Sequence, residues 1–444
     1  MARIIKRIPC GELAGESYEG INRYLGIKYA EAERFAYPKE ITKWEGVYEA
    51  TDFGPAPIQD STYHKKDCKD PANHYEHEFM LGVDPSYSED CLYLNIWTPE
   101  KAEKAPVLIV IYGGGLVSGM SQSLEFDGDE FARRGIVTVT FNYRVNVFGF
   151  MYLDLLKDKN GKAGNYGYYD QQTAIEWVRH NIKALGGDVD NMTIIGQSAG
   201  AASAETQIKS PLNKGYFKQA IIQSSAGFST VLKSKDNRTE ENKKWNEVFL
   251  RSGVGDIGEL KTMPAEKLYE TFKEVSSKKP IAFCNAVYDD YFVGDFRNEP
   301  VDTKIMYSIT SEDVMPFILN IVGAMLSKSQ AKLTDTYAYY FCRRLPGDDL
   351  GAWHSSDLMY VYSTLSRSWR PFTKEDHELS KKMIGYLQAF IKTGNPNHQG
   401  APEWKTYNGS KKYMSFDVEE IGMRKIPILH LLKETLFGKN IGFK

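Results

Sequence analysis

Short apolar runs recur along this chain, separated by longer polar stretches of helical character. The clearest are Leu92–Trp97, Val107–Ile111, Ile136–Phe141, Met192–Ile195, Ala220–Gln223, Lys304–Ile309 and Thr336–Cys342. Ala105-Pro106-Val107-Leu108-Ile109-Val110-Ile111 is almost unbroken, the pattern of a strand buried on both faces of a mostly parallel sheet. Glu375–Lys392 repeats Leu379, Met383, Leu387, Phe390 and Ile391 along one side, which predicts an amphipathic helix. Lys233–Lys279 is charged and helix-prone and lies between two strand runs; it predicts an outer helical subregion within residues 233–303, near the pocket. Strands alternating with helices argue for an α/β chain with a parallel sheet covered on both faces. A chain of 444 residues has room for more than one domain. It has no Pro/Ser-rich linker, low-complexity tract or internal repeat, so residues 1–444 read as a single domain.

The strand Met192-Thr193-Ile194-Ile195 runs into Gly196-Gln197-Ser198-Ala199-Gly200, and a small-residue helical stretch follows to Thr206. Strand, sharp turn and helix with a serine at the apex form the nucleophile-elbow pattern G-x-S-x-G. The glycines have a mechanical reason: so tight a turn strains the serine backbone, and side chains two residues away would collide. The plain alternative is a glycine-rich turn with a passive serine, and the strand and helix around it favour the nucleophile. Nearby N–H groups at the helix start favour negative charge.

Further groups must complete such a site. The strand ending at Ile111 continues into Tyr112-Gly113-Gly114-Gly115, where backbone N–H groups can approach the negative oxygen of a tetrahedral intermediate. The alternative is a flexible loop. Neither G-x-x-x-x-G-K-[ST] nor G-x-G-x-x-G occurs there, which argues against phosphate binding. If the order is Ser…Asp/Glu…His, the base lies beyond Ser198. His64, His74 and His77 then fall on the wrong side, and His180 follows a helical run that suggests a solvated residue. His377 sits in a charged helix start, His398 in a Gly/Pro/Asn loop and His430 in an apolar terminal helix. His354, in a loop after the strand run 336–342, is where this fold class keeps its chemistry. For the acid, Glu312 and Asp313 follow the strand Lys304–Ile309 and compete for the role. Asp357 is only three residues from His354, a poor spacing for that hydrogen bond.

The ordered set resembles the type-B carboxylesterases, which share a fold with the cholinesterases. The resemblance runs almost end to end. It is carried by Tyr24–Ala30, Arg34-Phe35, Trp44-Glu45-Gly46, Ser88–Trp97, Tyr112–Gly115, Asn142-Tyr143-Arg144, Gly186-Gly187-Asp188, Gly196–Gly200, Gln223-Ser224 and Thr393-Gly394-Asn395-Pro396. It implies an α/β-hydrolase fold and a serine carboxylic-ester hydrolase that needs no cofactor. Position by position, it implies Ser198 as nucleophile and His354 as general base. It makes Gly114, Gly115 and Ala199 the oxyanion donors. Laying Ser308 on a family glycine puts the acid at Asp313, an aspartate where the family usually has glutamate, without the flanking glycines. Ser224 matches a family serine that hydrogen-bonds the acid. Gln197 stands where cholinesterases carry glutamate, which argues against a dedicated cationic substrate. Arg34 with Glu89, and Arg144 with Asp170, match structural ion pairs. Only 40 residues separate Asp313 from His354, where the family places a larger helical region, so a reduced helical cover is implied.

Composition narrows the remaining classes. The formal net charge is −3 and no basic patch is visible, which argues against nucleic acid as a partner. No apolar stretch approaches a bilayer-spanning length, and the first residues lack the apolar core of a signal peptide, so a cytoplasmic protein without a membrane partner is expected. Five scattered cysteines predict free thiols in a reducing compartment, with Cys68–Cys91 the one conceivable disulfide. No C-x-x-C or H-E-x-x-H metal spacing occurs. Aromatic residues around Tyr63–Tyr87 and Tyr288–Phe292 are candidate pocket walls. A small-molecule ester is the expected substrate. The alternatives are a non-catalytic binding homologue, or the same chemistry on amide, thioester, lactone or feruloyl-type substrates.

Overall fold

The structure, a computed structural model, describes residues 1–60, 74–225, 236–278, 283–294, 299–407 and 412–438. One sheet of thirteen strands organises it. In chain order these are β1 (Ala2–Ile8), β2 (Gly11–Tyr18), β3 (Ile21–Lys28), β4 (Val47–Glu49), β5 (Tyr93–Pro99), β6 (Ala105–Ile111), β7 (Val137–Phe141), β8 (Gly187–Gln197), β9 (Phe217–Gln223), β10 (Lys304–Thr310), β11 (Thr336–Phe341), β12 (Lys412–Phe416) and β13 (Ile421–Lys425). The spatial order is β1-β2-β3-β5-β7-β6-β8-β9-β10-β11-β12-β13, with β4 beside β2. Pairing is parallel from β7 through β12 and antiparallel along the rest of that order, while β4 pairs with β2 in parallel.

Every strand expected from an apolar run is present. Several extend past it: the Met192–Ile195 run lies inside β8, whose polar start Gly187–Asn191 pairs only partly with β6. β7 is buried at every position, as a strand covered on both faces must be. The N-terminal meander β1–β3 was not evident from periodicity. β1 carries Arg3, Lys6 and Arg7 and is largely exposed, as suits an edge strand that must not pair with another chain.

The helices that matter below are α1 (His74–Phe79), α2 (Tyr166–Asn181), α3 (Ala199–Lys209), α4 (Arg238–Ser252), α5 (Ile257–Thr262), α6 (Ala265–Ser276), α7 (Pro316–Gln330) and α8 (Lys374–Thr393). The amphipathic stretch Glu375–Lys392 forms α8, which opens on a capping box between Thr373 and Asp376. Leu379, Met383, Leu387, Phe390 and Ile391 are all buried on it. Within 233–303, Trp245 of α4 and Phe272 of α6 stack at 5.9 Å, and both meet Phe283 edge-on.

Both expected ion pairs form. Arg34 Nε donates to Glu89 at 2.9 Å, while Nη1 donates to the carbonyls of Leu260 (3.0 Å) and Met263 (2.6 Å), tying α5 to the body of the protein. Arg144 meets Asp170 through two side-chain bonds of 2.8 Å, and its backbone N–H adds a third at 3.0 Å. Both side chains of that pair are buried. Cys10, Cys91, Cys284 and Cys342 are free thiols; Cys68 lies outside the described residues. Among the described residues, no helix is long and apolar enough to cross a membrane, and no cluster of three or more metal-ligating side chains occurs.

Arg144→Met leaves Asp170 buried without its partner, so we expect a loss of about 3–5 kcal/mol in urea unfolding. A loss below about 1 kcal/mol would mean the pair is not needed to hold β7 to α2.

Candidate active site

β8 ends at Gln197, and Ser198 turns the chain with φ 57° and ψ −126°, a conformation that costs free energy for any residue with a Cβ. α3 starts at once. The Ser198 N–H donates to the Gln223 carbonyl on β9 at 2.9 Å, and the Ser198 carbonyl accepts from Ala202 at 3.1 Å. There is no room for side chains around the turn. A Cβ on Gly196 would lie 2.2 Å from the Gly200 carbonyl oxygen, and one on Gly200 would lie 2.2 Å from that of Ile111. Ser198 itself is half-buried.

Two neighbouring strands deliver the other groups. After β10 the chain turns tightly, and Asp313 accepts from the N–H groups of Thr310 (3.0 Å) and Val314 (2.8 Å). Its Oδ1 lies 2.5 Å from His354 Nδ1. Both residues are buried, so the contact is shielded from water. Burial pushes the Asp313 carboxyl up, but the charge and hydrogen bond of His354 outweigh it, and the pKa falls below the ordinary carboxylate range. Ser224 sits beside this carboxyl and helps lower it, although its buried hydroxyl is not in hydrogen-bond geometry with any described group.

Three carboxylates surround the histidine loop, and each has different work. Glu312 accepts from Ser311 Oγ at 3.1 Å, from the Ala352 N–H and from the Arg344 guanidinium. It thereby clamps the loop backbone, and a Cβ on Gly351 would come within 2.4 Å of it. Asp357 faces away from the imidazole, accepting from Tyr339 at 2.7 Å and from Gln223 at 3.1 Å. Burial, with the Asp313 charge adding to it, pushes the Asp357 pKa up to about 6. Of the two adjacent carboxylates after β10, Asp313 is therefore the one brought to His354.

The glycine run ends β6 beside the elbow. A Cβ on Gly113 would lie 2.7 Å from the Gln197 carbonyl oxygen and 3.2 Å from Ser198 Cβ. Gly114 and Gly115 then take φ 101° and 64°. Among the described residues, the N–H groups of Gly114, Gly115 and Ala199 have no acceptor within the chain. That leaves three donors near the serine, one of them in the first turn of α3.

Gln59 and Asn146, which hold this site, were not singled out from sequence, and Tyr75 entered only within the aromatic range Tyr63–Tyr87. Gln59 exchanges two bonds of 2.9 Å with the backbone of Gly119. Buried Asn146 donates to the carbonyls of Ile58 (2.7 Å) and Val117 (3.1 Å). Together they pin the loop that carries the glycines. Tyr75 on α1 donates its hydroxyl to the His354 carbonyl at 3.0 Å, while His74 packs edge-on against Trp353. Burial, then nearby Arg370, pushes the His74 pKa down to about 4. Phe292, from the aromatic group proposed as a pocket wall, is a core residue packed on Tyr169; Tyr63 lies outside the described residues. His180 pairs with Glu40 at the surface at 2.8 Å.

A strained serine between strand and helix, a buried imidazole–carboxylate pair at the neighbouring strand ends and a glycine loop define a serine hydrolase of the α/β type. Comparison with known proteins narrows the class. The carboxylesterase family model matches residues 3–332 and 315–428. The bile salt-activated lipase of Bos taurus is 30% identical, the match covering 88% of this chain and 78% of that protein. The human cocaine esterase is 27% identical over 90% of this chain and 84% of its own. A solved PNB esterase superposes with a TM-score of 0.82 over 97% of this chain and 99% of its own, at 22% identity. A thermophilic PNB esterase gives 0.81 at 23% identity, over 96% of this chain and 99% of its own. The chain belongs to the carboxylesterase family and is a serine carboxylic-ester hydrolase.

Asp357 gives the site a stability signature. A carboxyl whose pKa is raised on folding favours the fold at low pH, and that contribution is lost as pH rises through about 6. Asp357→Asn keeps an acceptor for Tyr339 and removes the titration. In urea melts at pH 5 and pH 7.5, stability should shift by about 1–2 kcal/mol in favour of the variant at the higher pH. An unchanged difference would mean that Asp357 titrates normally.

Proposed function

We propose that Ser198, His354 and Asp313 form the catalytic triad of this esterase. Ser198 Oγ attacks the ester carbonyl as His354 Nε2 takes its proton, giving a tetrahedral oxyanion. The N–H groups of Gly114, Gly115 and Ala199 receive that negative oxygen, where they act with little water between them. His354 returns the proton to the leaving alcohol, and an acyl-enzyme remains. Water then repeats the sequence and releases the acid. Asp313 keeps the imidazole oriented and stabilises its charged form without taking the proton. The observation that carries this reading is the buried 2.5 Å contact between Asp313 and His354, delivered by the loops after β10 and β11, which pair with each other in the same sheet as β8. The acid-supporting role falls to Ser224.

We read residues 1–444 as one catalytic domain, with 233–303 as its outer helical subregion. The substrates proposed are short-to-medium acyl and aromatic esters. A single helix, α7, with β11 fills most of the interval between Asp313 and His354, which supports a lightly covered pocket. Four free thiols support a cytoplasmic setting.

Hydrolysis of p-nitrophenyl esters from acetate to decanoate tests the reading. Ser198→Ala should lose on the order of 10⁴–10⁶ in turnover. Asp313→Asn should lose less, and Glu312→Gln, which keeps an acceptor for the Ala352 N–H, should stay within about tenfold of wild type. Collapse at Glu312 with survival at Asp313 would reverse the acid assignment. The highest kcat/KM on the longest esters would overturn the acyl-length proposal. No turnover by folded wild type would bring forward a binding role.

A further inference from the structure

The proposed mechanism leaves the residue before the serine without a role. Gln197 closes β8, is 4% exposed, and places its side-chain nitrogen 3.2 Å from His354 Nε2. Asp313 faces Nδ1, so a neutral His354 carries its proton there and offers only a lone pair at Nε2. The nitrogen of Gln197 must then be the donor. Its N–H points at the same lone pair that has to accept the Ser198 proton. Once the imidazole is charged, N–H would face N–H, so this contact favours the neutral ring. The other end of the amide is confined: even a Cβ on Gly113 would come within 3.2 Å of Gln197 Oε1.

Building on the triad reading above, we propose that Gln197 is a positioning residue that holds His354 neutral and aimed in the resting enzyme, and so sets the acid limit of esterase activity. During attack the hydrogen bond from the Gln197 amide yields, the Ser198 proton passes to Nε2 as the Oγ–carbon bond forms, and the proton leaves on the alcohol oxygen as the ester carbon–oxygen bond breaks. A carboxylate at the same place would act in the opposite sense, accepting from the imidazolium and stabilising its charge.

Other ionisable groups also face the histidine loop. Asp313 is on Nδ1, Tyr75 on the His354 carbonyl and His74 against Trp353. Glu312 with Arg344 holds the backbone at Ala352, and Asp357 lies behind with Tyr339. All of them are kept in variants of Gln197, so a difference between such variants reports that residue.

The test is kcat/KM for p-nitrophenyl acetate against pH, for wild type, Gln197→Glu and Gln197→Met. Active sites are counted by the nitrophenol burst from diethyl p-nitrophenyl phosphate. The midpoint of the acid limb should rise by about 1 unit or more in Gln197→Glu, with Gln197→Met between it and wild type. Midpoints that coincide within about 0.2 units, whatever the rates, would overturn the proposal and leave Gln197 as packing. If Gln197→Glu does not fold, Gln197→Met alone carries the comparison on the same terms. Failure of the triad reading looks different: no organophosphate burst from wild type, or full activity in Ser198→Ala.

Discussion

The backbone of Ser198 is the constraint around which the rest of the site is arranged. A residue with a Cβ held at φ 57° and ψ −126° persists only where its surroundings leave no alternative. Here the surroundings are explicit. A Cβ on Gly196 or Gly200 would collide with backbone, the Ser198 N–H is bonded to β9, and α3 takes over directly after the turn. The parallel centre of the sheet supplies the stiffness, because β8 lies between β6 and β9 and is paired on both sides. The same crowding brings the glycine run at the end of β6 against the elbow.

Around that turn, environment sorts chemically similar groups into different tasks. Asp313, Glu312 and Asp357 lie within one small region. Asp313 is held down by His354 and is the carboxylate at the imidazole. Glu312 binds backbone and Arg344, and Asp357, buried next to a like charge, is pushed up to about 6. Gln197 extends the same logic to the far side of the ring. A neutral amide and a negative carboxylate contact opposite nitrogens of one imidazole, so the proton is directed to Nδ1 and the lone pair to Nε2.

Much of this was legible in the sequence wherever it is encoded locally. The elbow, the glycine run and the central strands are each written in a few contiguous residues whose pattern has one mechanical explanation. The choice between Glu312 and Asp313 was not available from the residues alone, because neighbours in a turn point in different directions; it came from family resemblance, and it is Asp313 that lies against His354. The contacts of Gln59, Asn146 and Tyr75 were invisible for another reason. Their partners are Gly119, Val117 and His354, the last 279 residues away, and no local pattern marks such contacts. The meander β1–β3 escaped because its edge strand is charged and largely exposed, so hydrophobic periodicity is weak there.

The central claim is that Ser198 is the nucleophile, and covalent trapping tests it without relying on the effect of a mutation. The protein would be treated with diethyl p-nitrophenyl phosphate, and the intact mass and the modified peptide read by mass spectrometry. The account predicts one diethylphosphoryl group per chain, located on Ser198, with esterase activity lost in proportion to labelling. Stoichiometric loss of activity with the label on another residue, or an unlabelled Ser198 in an active enzyme, would contradict it.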